Sequence, residues 1–248
     1  MYYEVSGSRL RILGTYHLSP VDRSLPAFVT DAAQWADAGC MEHNPQEFAP
    51  LMRLNDGARL EDLLPPDLWT AVKAAWEKEP KIPAVLQKHR PWAALIMLGV
   101  ARLRFGPGAE TVLGASLEKK GQTFGYIERA GDVAALFDSV PLPDVVEVIR
   151  QALPKLGRSQ EQFEGMYDRW AARDAAGLQA HVELTPMFGN QVIRDSLLLS
   201  RNRAWVESVV KAGKPASNTV LAVGAMHLVG PGNFIDLLRE RAVPVREL

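Results

Sequence analysis

Cys40 is the sole cysteine in a chain of 248 residues, so no intrachain disulfide can form. Charge of one sign is equally scarce. The 28 basic and 29 acidic residues leave a net charge of −1, which excludes any broad attraction to nucleic acid or to an anionic lipid surface. Long apolar runs are missing too. The longest, Trp92 to Ala101, is too short to span a bilayer, so no membrane insertion is expected. The start, Met1-Tyr2-Tyr3-Glu4, has neither the basic nor the apolar region of an export signal. As written, the chain reads as cytoplasmic; a mature exported form or an N-terminally truncated one would read the same. There is no low-complexity linker and no array repeat. We therefore take residues 1–248 as a single domain.

What is present is an alternation of strands and helices. Strand-like segments fall at Arg9–Leu13, Ala38–Met41, Thr123–Ile127, Asn218–Val223 and Val243–Arg246. Helical periodicity covers Ser24–Ala36, Leu68–Lys78, Pro91–Arg104, Asp144–Leu156, Glu161–Ala172, Gln191–Ala212 and Asn233–Arg241. This order predicts an α/β fold with a small, mainly parallel central sheet covered by many helices, and a site at the carboxyl ends of the strands. The helix-rich stretch at about 44–105 is expected to cap the sheet.

Histidine is also scarce, yet two of the five histidines share one pattern. Gly14-Thr15-Tyr16-His17 and Gly224-Ala225-Met226-His227 are both G-x-x-H, each at the end of an apolar run. Chance alone would give such a pair in roughly one chain in twenty, so the weight lies in the context. Four predicted strands end at His17, Glu42, Glu128 and His227. Two histidines and a carboxylate (His17, His227 and Glu42) suit a divalent ion such as Mn, Zn, Co or Fe, with positions left for water or substrate. A water bound there can attack a carbonyl near neutral pH, and the second glutamate, Glu128, can serve as base or as a further ligand. His43 is an alternative ligand to Glu42. Gly14 and Gly224 permit a close backbone approach before each histidine. The helix opening at Gly230-Pro231-Gly232-Asn233 offers N–H groups to an oxyanion. Cys40 reads as buried filler, and His89 and His181 as surface residues.

Taken in order, Leu13–Leu18, Glu42, Arg90-Pro91-Trp92, Tyr126-Ile127-Glu128, Arg201-Asn202-Arg203-Ala204-Trp205 and Val223–Gly230 resemble the TraB/PrgY/GumN family. That family is similar to the Tiki metalloproteases and, more distantly, to erythromycin-esterase-like and ChaN-like proteins. The resemblance runs from about Tyr3 to the C-terminus. It implies a metal-dependent hydrolase core containing His17 and His227, completed by Glu42, Glu128, Arg201 and Asn202, and acting on a peptide or small-molecule substrate. The alternative it implies is a non-catalytic protein of the same fold that captures a peptide signal or heme. Arg201 has its own logic. It lies four residues after Leu197 and four before Trp205, beside an apolar stripe, where the cation either takes a carboxylate partner or covers apolar surface with its stem while its head reaches water. Three departures concern the substrate. Met226 replaces a small residue before His227, Glu110 stands near the helix opening where an Asp is common, and Arg129 follows Glu128 in place of a small polar residue.

Overall fold

The computed structural model describes residues 1–77, 86–122 and 124–248; the expected helix end at Lys78 and strand start at Thr123 lie outside them. Among the described residues there are eight strands: β1 (Tyr2–Val5), β2 (Leu10–Thr15), β3 (Leu18–Pro20), β4 (Ala38–Met41), β5 (Phe105–Pro107), β6 (Phe124–Tyr126), β7 (Thr219–Gly224) and β8 (Val245–Glu247). Six of them form one sheet in the order β6-β4-β7-β2-β1-β8. The pairs β6–β4, β4–β7 and β7–β2 are parallel, whereas β1 runs antiparallel to both β2 and β8. The fold is thus α/β with a mainly parallel sheet under helices, as the alternation predicts. β2 and β7 are buried at nearly every position, which is why their sequences read as continuous apolar runs.

Helices cover the sheet through short apolar stripes. Ala27–Trp35 buries Phe28, Val29, Ala32 and Ala33 and packs on Ala109–Lys119, while Ser200–Ala212 packs on Phe234–Glu240. A second apolar cluster joins Leu60, Leu68, Trp92 and Leu98 with Val145, Ile149, Ile193 and Leu197. β3 and β5 form a separate two-stranded ribbon. The proline in each strand fits a ribbon that is all edge. No helix among the described residues is long and apolar enough to cross a membrane.

Several elements differ from the sequence expectation. β1 was not foreseen, because four residues at the chain start carry no turn signal and no alternation. The predicted helix Gln191–Ala212 is interrupted: Gln191–Arg194 leads into a π turn at Asp195–Leu199, and Ser200–Ala212 follows. One i→i+5 turn is invisible to a 3.6-residue period. His89 is buried, not a surface residue, in a bridge between its backbone and that of Arg53. His181 is half-buried against Gly165. Cys40 is half-buried rather than fully enclosed, and burial raises its thiol pKa to about 11, so it is unreactive near neutrality.

Candidate functional site

The strand ends bring the expected side chains together. β2 and β7 pair in parallel with Thr15 opposite Gly224, so His17 and His227 follow from adjacent strand ends. β4 and β6 pair with Met41 opposite Tyr126. The ladder continues past both ends, Ile127 N donating to Met41 O (2.9 Å) and Glu128 N to Glu42 O (3.0 Å), which sets the two glutamates side by side. Gly224 lies where Glu42, His17 and His227 converge. A methyl on its Cα would stand 3.2 Å from Glu42 Oε1, 3.7 Å from His17 Nε2 and 3.7 Å from His227 Cδ2. A methyl here would crowd Glu42 Oε1 and make ordinary contact with the two imidazoles.

Arg201 ties the buried part of the site together. It is 8% exposed and Glu42 is equally enclosed. Its Nη2 donates to Glu42 Oε2 at 2.5 Å and also to Glu128 Oε1, and its Nε donates to both Glu128 oxygens at 3.1 Å. Glu42 Oε1 accepts from Gly224 N at 2.5 Å. Burial pushes the Glu42 carboxyl upward, but the Arg201 charge and the Gly224 N–H outweigh it and hold the group well below the usual carboxylate range. Glu128 is likewise held low against burial by His43 and Arg201, and it also accepts from Trp205 Nε1 at 3.0 Å. A buried pair of carboxylates is stable here because a cation bridges it.

His227 is neutral. Burial first, with Arg201's charge adding to it, lowers its pKa to about 3. An arginine can only donate, so Nε2 accepts from Arg201 Nη1 at 3.2 Å, and Nδ1–H then donates to Asn202 Oδ1 at 2.7 Å. Asn202 is fixed in turn by its own Nδ2, which donates to Gly232 O at 3.0 Å. Asn202 therefore acts through His227, setting its tautomer. At the helix opening, one of the N–H groups expected to be free is already taken. The Asn233 side chain accepts from Asp236 N at 3.0 Å and caps the helix itself.

His17 sits apart from this buried network, with its side chain 67% exposed. Its Nδ1 is 2.7 Å from Glu110 Oε1, and the charge of Glu110 raises the imidazole pKa to about 9 despite desolvation. Glu110 also accepts from Thr15 Oγ1, and its Oε2 is buried without a partner. The sequence marked Glu110 only as a departure near a helix opening; the sole signal was an acidic residue in a first turn, which the helix dipole alone would explain. Of the other departures, Arg129 is exposed just before the helix Ala130–Ser139, and Met226 is half-buried against the sheet core.

The residues fit a divalent ion. Glu42, His43 and Glu128 each offer a donor atom, all within 4.8 Å of one another. His43 Nδ1 is buried with no hydrogen-bond partner, 3.7 Å from Glu128 Oε1; that distance is too long for a hydrogen bond. An orphaned imidazole nitrogen between two carboxylates has the chemistry of a ligand for Mn, Zn, Fe or Co. This set shares Glu42 with the His17, His227 and Glu42 set read from sequence, and it includes both Glu42 and His43, which the sequence weighed as alternatives.

These shifts fix a pH profile of stability. His227 has a folded pKa of about 3 against an ordinary imidazole value of 6.5, so the unfolded chain binds the extra proton in between, and stability falls as pH drops through that window. Glu42 and Glu128, both lowered, act in the same direction. His17 is raised; its contribution is complete below the unfolded pKa and is lost as pH rises through about 9. Urea melts at about pH 5, 7.5 and 10 should therefore show a maximum in the middle, with the acid limb flattened in His227→Phe. A profile flat across that range would contradict the assignment.

A mainly parallel α/β sheet with histidine, glutamate and arginine gathered at its carboxyl edge defines the class of protein. The family description TraB/PrgY/gumN matches residues 2–247, and the chain belongs to that family. No curated protein and no solved structure is significantly similar to it.

Proposed function

We propose that this protein is a metal-dependent hydrolase that cleaves an amide or ester bond. The observation that carries the reading is the buried, unpartnered His43 Nδ1 beside the Glu42–Glu128 carboxylate pair. Glu42, His43 and Glu128 would hold the ion, which supplies polarisation of the carbonyl and a water acidic enough to attack at neutral pH. His17 directs Nε2 toward Gly224 and is held as imidazolium by Glu110, so it can protonate the leaving group. Asn202 positions His227, and Arg201 balances the carboxylate charge.

A peptide is the substrate class the surroundings favour. A cleft of about 930 Å³ is lined by Val21, Met52, Ile96, Met97, Val100 and Phe105. It begins at Val21, four residues beyond His17 along β3, within reach of an extended chain lying across the site. The test is hydrolysis of a set of apolar peptides with Mn, Zn, Co or Fe added. His17→Ala should lose about 100-fold or more of the rate; because it also removes the partner of Glu110, the rate is compared at temperatures where the variant is folded. Wild-type turnover by that variant would overturn the proposal.

A further inference from the structure

We infer that Arg201 is the resident cation of the cluster and competes with the divalent ion, so that loading the metal requires its guanidinium to leave the carboxylates. The inference rests on the metal-dependent reading of the same site. All five N–H groups of Arg201 are engaged. Nε donates to both Glu128 oxygens at 3.1 Å, Nη1 to Leu197 O at 3.3 Å and His227 Nε2 at 3.2 Å, and Nη2 to Glu42 and Glu128. Three of those partners, Glu42, Glu128 and His227 Nε2, are groups whose lone pairs a metal would use. His43 Nδ1 is the candidate ligand the guanidinium leaves without a partner.

Glu42 and Glu128 carry two negative charges in a buried site, and one arginine neutralises half of them. A divalent ion at the same carboxylates would place two cations within a few ångströms of each other where little water screens them. A carboxylate oxygen that already receives a charge-assisted hydrogen bond is also a weaker ligand until that bond breaks. His227 Nε2, 3.9 Å from Glu42 Oε1, has a lone pair free for a metal only when Arg201 Nη1 withdraws. Metal-free protein is thus held folded by the arginine, and the ion is admitted by exchange with it.

The test is calorimetric titration of zinc chloride and manganese chloride into metal-free wild type, Arg201→Met and Arg201→Lys. Removing the bridging guanidinium should tighten binding by about tenfold or more in Arg201→Met, and by less in Arg201→Lys, whose point charge cannot span three acceptors. Should Arg201→Met fail to fold, Arg201→Lys and a measurement on wild type decide. The nitrogen-15 resonance of Arg201 Nε–H, assigned by its absence from Arg201→Lys, should shift or exchange away when zinc saturates the site. Equal or weaker binding in the folded variants, or an unmoved resonance at saturation, overturns the exchange while leaving the metal site standing. No binding by any of the three proteins overturns both.

Discussion

Gly108→Ala is expected to displace His17 although the two positions lie far apart in sequence. A methyl at Gly108 would sit 2.1 Å from His17 O, 2.2 Å from His17 C and 2.4 Å from Tyr16 O. All three are backbone atoms, so no side-chain rotation relieves the clash. Ala109 N also donates to Tyr16 O at 3.1 Å, and Leu18 pairs with Pro107 in the β3–β5 ribbon. The substituted chain must pull these apart, at a cost of about 3 kcal/mol. Shifting His17 by even about 1 Å should lower hydrolysis by about 100-fold. Gly106→Ala is the control, because a methyl there meets nothing within 4 Å, and it should behave like wild type. Equal stability and activity in Gly108→Ala, measured by denaturant unfolding and peptide turnover, would contradict the placement of the ribbon against the site.

Trp170→Ala should be the most destabilising single change in the sheet core. Trp170 is fully buried, stacks on Tyr16 at 5.8 Å, and meets Phe28 and Tyr167 edge-on at 5.4 Å and 5.2 Å. Its Nε1 donates to Gly14 O at 2.8 Å, so the ring both fills the core and pins the first G-x-x-H turn. The expected loss is about 3–5 kcal/mol from transfer and cavity terms, with hydrolysis impaired at temperatures where the variant is still folded. Trp170→Phe keeps most of the ring but leaves the buried Gly14 carbonyl unpaired, which should cost about 1–3 kcal/mol. Chemical denaturation of both variants checks the order, and an alanine variant as stable as the phenylalanine one would contradict the packing argument.

The sequence disclosed the frame of the site because parallel strands leave a strong local trace. Apolar runs at β2 and β7, each closed by Gly and a histidine, place both imidazoles at one sheet edge before any coordinates are known. Arg201 was legible for the same kind of reason. Its position between Leu197 and Trp205 allowed a carboxylate partner or a head reaching water, and the structure supplies Glu42 and Glu128, with the guanidinium 4.8 Å above the Trp205 ring. What stayed hidden is what tertiary contact alone creates. Glu110 reaches His17 across the fold, and nothing in its local sequence distinguishes it from an ordinary helix-opening acid. The setting of His43, its ring 4.8 Å from that of Phe48 and its Nδ1 buried near Glu128, is something no spacing encodes. The requirement for glycine at 108 comes from the backbone of another segment. The self-capping of the last helix turned on whether the Asn233 side chain would satisfy one of the N–H groups that were expected to receive an oxyanion.

The most direct test of the central claim is the metal content of the purified protein, measured by elemental mass spectrometry beside His17→Ala/His227→Ala and Glu42→Gln/Glu128→Gln. Near-stoichiometric Mn, Zn, Co or Fe is expected in wild type, strongly reduced in the glutamate pair and lowered in the histidine pair. Wild-type protein that holds no metal after incubation with each ion would contradict that claim.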